Sequence, residues 1–189
     1  MADNTNRLDN DTYEYIKGEV IALFIRYKIK CIPISGFEIA VKMGIKLVPY
    51  STLSKKKLTR ITKLKEGDGA YVEKDGKEYI YYNDIDRSYE RQNMTILHEI
   101  GHCVLDHTGD NYEIEEAEAN FFAKYAIAPP IIVHKIGAKD SIDIYAAFDI
   151  SLEAAENAWK YYRQWVKFHR AYGGYTEYEK ALLQLLETA

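Results

Sequence analysis

The sequence predicts an α+β fold, in which a small three-stranded mixed sheet packs on a pair of helices and a helical C-terminal part follows. Three observations carry this. Apolar residues recur at helical spacing near the start of the chain, around 94–105 and again over 112–128. Two β-rich runs, Ala70–Val72 and Glu78–Tyr82, flank the Asp75-Gly76 pair, a dipeptide that tolerates the positive φ angles of a tight hairpin turn. After Pro129-Pro130 the periodic segments are all helical.

Taken in order, residues 1–12 read as a disordered tail, residues 13–130 as the main domain, and residues 131–189 as a helical extension packed on it. From Thr12 to about Ile29, the residues Ile16, Val20, Leu23, Phe24 and Tyr27 form a helical stripe. Ser35-Gly36-Phe37-Glu38 has the pattern of a capping box, and Gly44 closes the helix it opens. Ile45–Tyr50 reads as a strand, and residues 51–68 as a connector with room for one short helix. A helix from about Arg87 to Asp106 carries Met94, Ile96, Leu97, Ile100, Cys103, Val104 and Leu105 around most of its circumference, which predicts burial. The next helix spans about 112–128, and further helices are expected over Ser141–Phe148, Ser151–His169 and Ala181–Leu186, the last opened by Thr176-Glu177-Tyr178-Glu179. Residues 142–159 have the outline of a helix-turn-helix. Its second helix, however, opens with Glu153 and Glu156 and is expected to bury Trp159, which points to packing rather than DNA contact.

Charge and composition narrow the function. With 25 basic and 29 acidic side chains the formal charge is −4, so no nucleic-acid partner is expected. The basic run Lys55, Lys56, Lys57, Arg60, Lys63 and Lys65 reads as a solvated face. Two cysteines, Cys31 and Cys103, make no disulfide framework, and the polar, acidic start lacks the pattern of a secretory signal. No apolar run approaches the roughly 18 residues of a membrane span. A reduced, cytoplasmic setting is the expectation.

The chemistry is concentrated in His98-Glu99-Ile100-Gly101-His102. On a helix, residues four apart stack on one face. Two imidazoles can therefore hold one cation, here Zn2+, while Glu99 reaches a water beside it. Gly101 in a helix interior costs roughly 1 kcal/mol against alanine, which implies that something packs closely there. The third ligand is sought in Glu115, Glu116 and Glu118 of the next helix. Three, four and seven residues beyond Glu116 lie Ala119, Asn120 and Ala123, a small stripe that permits close approach to the histidine helix. Glu115 and Glu118 share bulkier faces and read as solvated. Glu116 is the expected ligand, and Asn120 is expected to bond a ligand's free ring N–H. His134 and His169 have no partner motif and are expected at the surface or rim.

The two stretches HEIGHCVLDH and EAEANFFAKYAIAP resemble the ImmA/IrrE family of zinc metallo-endopeptidases over roughly residues 13–130. In that pattern a glutamate is followed by a small residue and Asn, then by an apolar run and Pro, here Glu116, Ala119, Asn120, Phe122, Ala123, Ile127 and Pro129. The family's usual Leu-Leu-Met-Pro is replaced by Ala126-Ile127-Ala128-Pro129. The resemblance implies a gluzincin-like site in a zincin-like fold, with His98, His102 and Glu116 as metal ligands and Glu99 as general base. It also implies a cytosolic protein substrate, a helix-turn-helix repressor of a phage, mobile element or stress response.

The expected chemistry is hydrolysis of a peptide bond, with Glu99 moving a proton from water to the leaving amine. An oxyanion donor is needed as well, for which His107 and several tyrosines qualify equally. An edge strand beside the histidine helix can accept an extended peptide as an added strand, and Tyr79–Tyr82 is one candidate for that edge. The rival reading is a zinc-dependent binding module, an antirepressor that sequesters a repressor without cutting it. Glu99 argues against it, because a purely structural metal has no use for a base.

Overall fold

A computed structural model describes residues 8–64 and 68–187, and the fold is α+β. Contacts divide the chain into two compact units. One comprises Ser35–Ala123 with the chain up to Ile16, and the other comprises Lys17–Ile34 with the chain from Lys124 onward.

The first helix, α1 (Asn10–Tyr27), starts inside the stretch expected to be a tail. Asp9, within that stretch, caps it: its carboxylate accepts the Thr12 N–H at 2.7 Å. The rest of that stretch, residues 1–7, lies outside the described residues. Helix α2 (Gly36–Met43) is bounded as its sequence implies. Ser35 Oγ accepts the Glu38 N–H, and Gly44, at φ 83°, turns its own N–H back to Ala40 and Val41.

Strand β1 (Lys46–Pro49) leads through a 3-10 turn at Tyr50–Thr52 into α3 (Lys55–Leu64). Helix α3 sets Leu58 and Ile61 against Tyr50 of that turn and Ala70 and Tyr81 of the sheet. Its exposed face carries Lys55, Lys56, Lys57 and Arg60, the solvated face expected of the basic run. Lys65 of that run lies outside the described residues.

Strands β2 (Gly69–Lys74) and β3 (Lys77–Tyr82) form the hairpin, with Asp75 and Gly76 at φ 53° and 66° in its turn. The strand order is β1-β3-β2: β1 pairs parallel to β3, with Leu47 opposite Ile80, and β2 pairs antiparallel, with Tyr71 opposite Ile80. Tyr79–Tyr82 is therefore the centre of the sheet, and the edges are β1 and β2.

Helix α4 (Tyr89–Val104) crosses β2 and β3, its N-terminus capped by Ser88. It is tied to α2, where Asn93 Oδ1 accepts the Gly36 N–H at 2.7 Å. Helix α5 (Tyr112–Ile127) follows. A Cβ at Gly101 would meet Ala119 Cα and Phe122 Cβ and Cδ1, each at 3.2 Å. The glycine thus lets α5 rest directly on the backbone of α4.

In the second unit, α6 (Pro130–Lys135) is a short helix that the periodicity does not announce. Its first four residues are all buried, so no amphipathic pattern exists to read, and Pro130 starts it at the one helical position that favours proline. Helix α7 (Ser141–Phe148) turns at Asp149, φ 51°, into α8 (Leu152–Tyr172), and α9 (Glu177–Glu187) ends the described chain. Trp159 is half-buried, its ring 5.4 Å from that of Tyr162. Glu179, although buried, is fully engaged: it accepts Trp165 Nε1–H at 2.6 Å and the Thr176 N–H at 2.9 Å, and lies 3.1 Å from His169 Nε2. His134 is exposed and bonds the Tyr162 hydroxyl at 2.9 Å. Among the described residues, no helix is long and apolar enough to cross a membrane.

Replacing Gly101 by valine forces branched carbon into a contact already closed at 3.2 Å. Overpacking of this kind costs roughly 1–3 kcal/mol, and urea unfolding should show a lower midpoint with an unchanged slope.

Candidate metal centre

The four-residue spacing on α4 sets the His98 and His102 rings side by side at 79° to each other, with their Nε2 atoms 3.1 Å apart. Glu116 arrives from α5, with Oε2 at 3.3 Å from His98 Nε2 and Oε1 at 3.2 Å from His102 Nε2. Three lone-pair donors at such distances must share either protons or a cation. A tetrahedral cation with bonds of about 2.0–2.2 Å holds its ligands about 3.3–3.6 Å apart. The spacing found here is only slightly tighter. His98, His102 and Glu116 therefore fit a divalent metal, and they form one group whose ligand atoms all lie within 4.8 Å of one another. The close approach of His102 first, then His98, holds the Glu116 carboxyl well below the usual carboxylate range despite burial. The donor set is then two imidazoles and one anion, suited to a dication.

Glu99 points from the same turn of α4 toward the sheet and is 4 % exposed. Its Oε2 accepts the Tyr71 N–H of β2 at 2.6 Å. Gly69 makes the room: a Cβ there would lie 2.5 Å from Thr95 Cγ2 and 3.0 Å from Glu99 Oε1. An open cleft runs along this junction, lined by Asp68, Gly69, Thr95, His98, Glu99 and Glu116, with Arg91, Met94, Tyr112 and Asn120 around them. At its rim Asp68 accepts Arg87 Nε–H at 2.8 Å and Arg91 Nε–H at 2.9 Å. Burial pushes the Asp68 carboxyl up, but these two guanidinium contacts outweigh it and leave it below its ordinary value. Tyr50 Oη is buried without a partner among the described residues. Burial first, then the nearby Glu99 charge, pushes that phenol up to about 12, so it stays protonated.

The expected residues divide as follows. His98, Glu99, His102 and Glu116 come together. Asn120 lines the cleft but is exposed and makes no hydrogen bond to either ring. The outer ring nitrogen of one of the two histidines, His102, is held instead by His107, whose Nδ1 lies 2.8 Å from His102 Nδ1. His107 is absent from the cleft lining, which sets it apart from the candidate oxyanion donors. Glu118 is not a solvated residue: its Oε2 lies 2.9 Å from His107 Nε2. Glu115 accepts the N–H groups of Thr108 and Gly109, bracing the loop between α4 and α5. No spacing rule pairs His107 with Glu118, since the two sit on either side of that loop. Cys103 is half-buried and donates its thiol to Glu78 Oε1 at 3.1 Å. Burial first, then that carboxylate, pushes the thiol up to about 12, so it is inert at neutral pH. Ala126, Ile127 and Ala128, where the chain departs from the expected pattern, are buried and do not line the cleft.

Compared with models of protein families, residues 54–160 match the IrrE N-terminal-like domain, Peptidase M78. No curated protein matches the chain.

Glu116→Gln keeps the shape of the side chain but removes the anion from the donor set. It should weaken zinc binding by more than the roughly 10–100-fold that loss of an outer partner costs. Calorimetric titration with Zn2+ checks this, and wild-type affinity in that variant would remove Glu116 from the site.

Proposed function

Because this chain belongs to the M78 family of metallopeptidases, matched over residues 54–160, we propose that it is a zinc-dependent endopeptidase. Its substrate is a cytosolic protein, a helix-turn-helix transcriptional repressor. One observation carries the catalytic reading: a three-donor cluster lies in an open cleft beside a buried glutamate. A structural zinc site is closed by four protein ligands, whereas a catalytic one keeps a position open. The cluster contains three donors among the described residues.

His98, His102 and Glu116 would hold the ion. When bound, zinc supplies Lewis acidity, lowering the pKa of a water to about 7 and polarising a carbonyl. The chain's own part is to position groups and move protons. The Tyr71 N–H fixes one oxygen of Glu99, so that its carboxylate takes the proton of the attacking water and delivers it to the leaving amine. Gly69 lies at the cleft on edge strand β2. Tyr71 turns its N–H toward Glu99 and away from β3, and by the alternation of an antiparallel pair Gly69 faces the same side. An extended peptide can therefore run beside Gly69 as an added strand.

The choice of substrate rests on the family resemblance carried by HEIGHCVLDH and EAEANFFAKYAIAP. The net charge of −4 supports a protein rather than a nucleic acid as the target.

Glu99→Gln should bind zinc as the wild type does, yet lose about 10²–10⁴ of the cleavage rate. The assay incubates zinc-loaded protein with a repressor encoded beside it and follows discrete fragments by mass spectrometry. Unchanged proteolysis by the variant ends the assignment of Glu99. A stoichiometric complex without fragments from the wild type would favour the sequestering module.

A further inference from the structure

We propose that His107 and Glu118 are positioning residues, forming a two-step relay that locks His102 in the tautomer whose bare Nε2 faces His98 and Glu116. The inference rests on the reading of His102 as a ligand and adds two residues to which the cleft assigns no part.

His102 Nε2 faces the cluster, 3.1 Å from His98 Nε2 and 3.2 Å from Glu116 Oε1. To offer a lone pair there it must carry no proton on Nε2, so a neutral ring carries its proton on Nδ1. That Nδ1 lies 2.8 Å from His107 Nδ1. His102 then donates and His107 Nδ1 accepts, which leaves the His107 proton on Nε2, 2.9 Å from Glu118 Oε2. The direction is set from the far end, because a carboxylate only accepts. With the Glu118 charge drawing a proton to His107 Nε2, the neutral His107 ring has a bare Nδ1 facing His102. Reversing the middle contact would place a proton on His102 Nε2, against the other two donors.

The backbone is shaped for this contact. Helix α4 ends with Asp106 in the left-handed region, φ 54°. The Asp106 N–H returns to Cys103 O at 3.3 Å and the His107 N–H to His102 O at 3.1 Å. That is the paired 5→2 and 6→1 bonding of a Schellman ending, which brings the residue after the left-handed position beside the third residue from the helix end. An apolar pair commonly fills that contact. Here it is His107 on His102, with both side chains 6 % exposed. Glu118, two residues beyond Glu116 and hence on another face of α5, is reached because this turn carries the His107 ring past His102.

The test uses the full chain and zinc ions competed by a chromophoric chelator. His102→Ala, His107→Phe, His107→Asn and Glu118→Ala are each compared with wild type. Loss of an outer partner typically weakens metal binding about 10–100-fold. His107→Phe fills the space without an acceptor and should show that loss, with Glu118→Ala in the same direction. His107→Asn places an oxygen where Nδ1 stood and should keep most of the affinity. In the zinc-loaded wild type, nitrogen-15 spectra of the histidines should show His102 protonated on Nδ1 and His107 on Nε2. Wild-type affinity in His107→Phe, equal losses in the Phe and Asn variants, or a His107 proton on Nδ1 would each overturn the relay. If His102→Ala binds zinc as tightly as wild type, the reading of His102 as a ligand fails instead, so the two failures are told apart.

Discussion

The contact between Gly101 and the backbone of Ala119 governs the site. Two histidines on one helix can be aligned by spacing alone, but a carboxylate on a neighbouring helix can meet them only if the helix axes come close. Glutamate is short, and a metal–oxygen bond is about 2.0–2.2 Å. Glycine on α4 and alanine on α5 remove the side chains that would keep those axes apart, and Phe122 closes over the joint. The local cost of glycine in a helix interior, about 1 kcal/mol, is offset by burial of Ala119, Phe122, Ala123, Leu97 and Ile100 around it. Glu116 consequently meets both rings and stays ionised.

The sheet contributes the second half of the site. A nearly buried carboxylate such as Glu99 would be costly without a donor, and the Tyr71 N–H provides one. That N–H is free to do so because β2 is an edge strand, with no further strand paired to its outer side among the described residues. Gly69 completes the arrangement by leaving space for the Glu99 side chain. A three-stranded sheet is thus sufficient, since its role is to hold one edge against α4 rather than to form an extensive core.

Two other sets of buried polar groups follow the same logic of pairing. Glu179 in the second unit receives an indole N–H, a backbone N–H and a histidine contact. Behind the His98–His102–Glu116 group, Glu118 and His107 satisfy the outer nitrogen of His102. Polar groups left unpaired in such places cost of order 1–3 kcal/mol each. Each paired set therefore contributes to keeping a single arrangement.

Much of this was legible along the chain. Ser35 and Gly44 announce both ends of α2, Asp75-Gly76 announces the hairpin, and His98-Glu99-Ile100-Gly101-His102 announces its own geometry, because each depends on residues a few positions apart. The small stripe beyond Glu116 was enough to choose it over its neighbours, since helix periodicity states which face is thin. What the tertiary structure decided lies where two distant segments meet. The strand order put β3, not an edge, at the centre, and no local pattern encodes that order. The turn at Asp106 carried His107 behind His102, giving both that ring's outer nitrogen and Glu118 a partner. Periodicity assigns a side chain to a face of its own helix, but what stands opposite that face depends on the path of the backbone between helices.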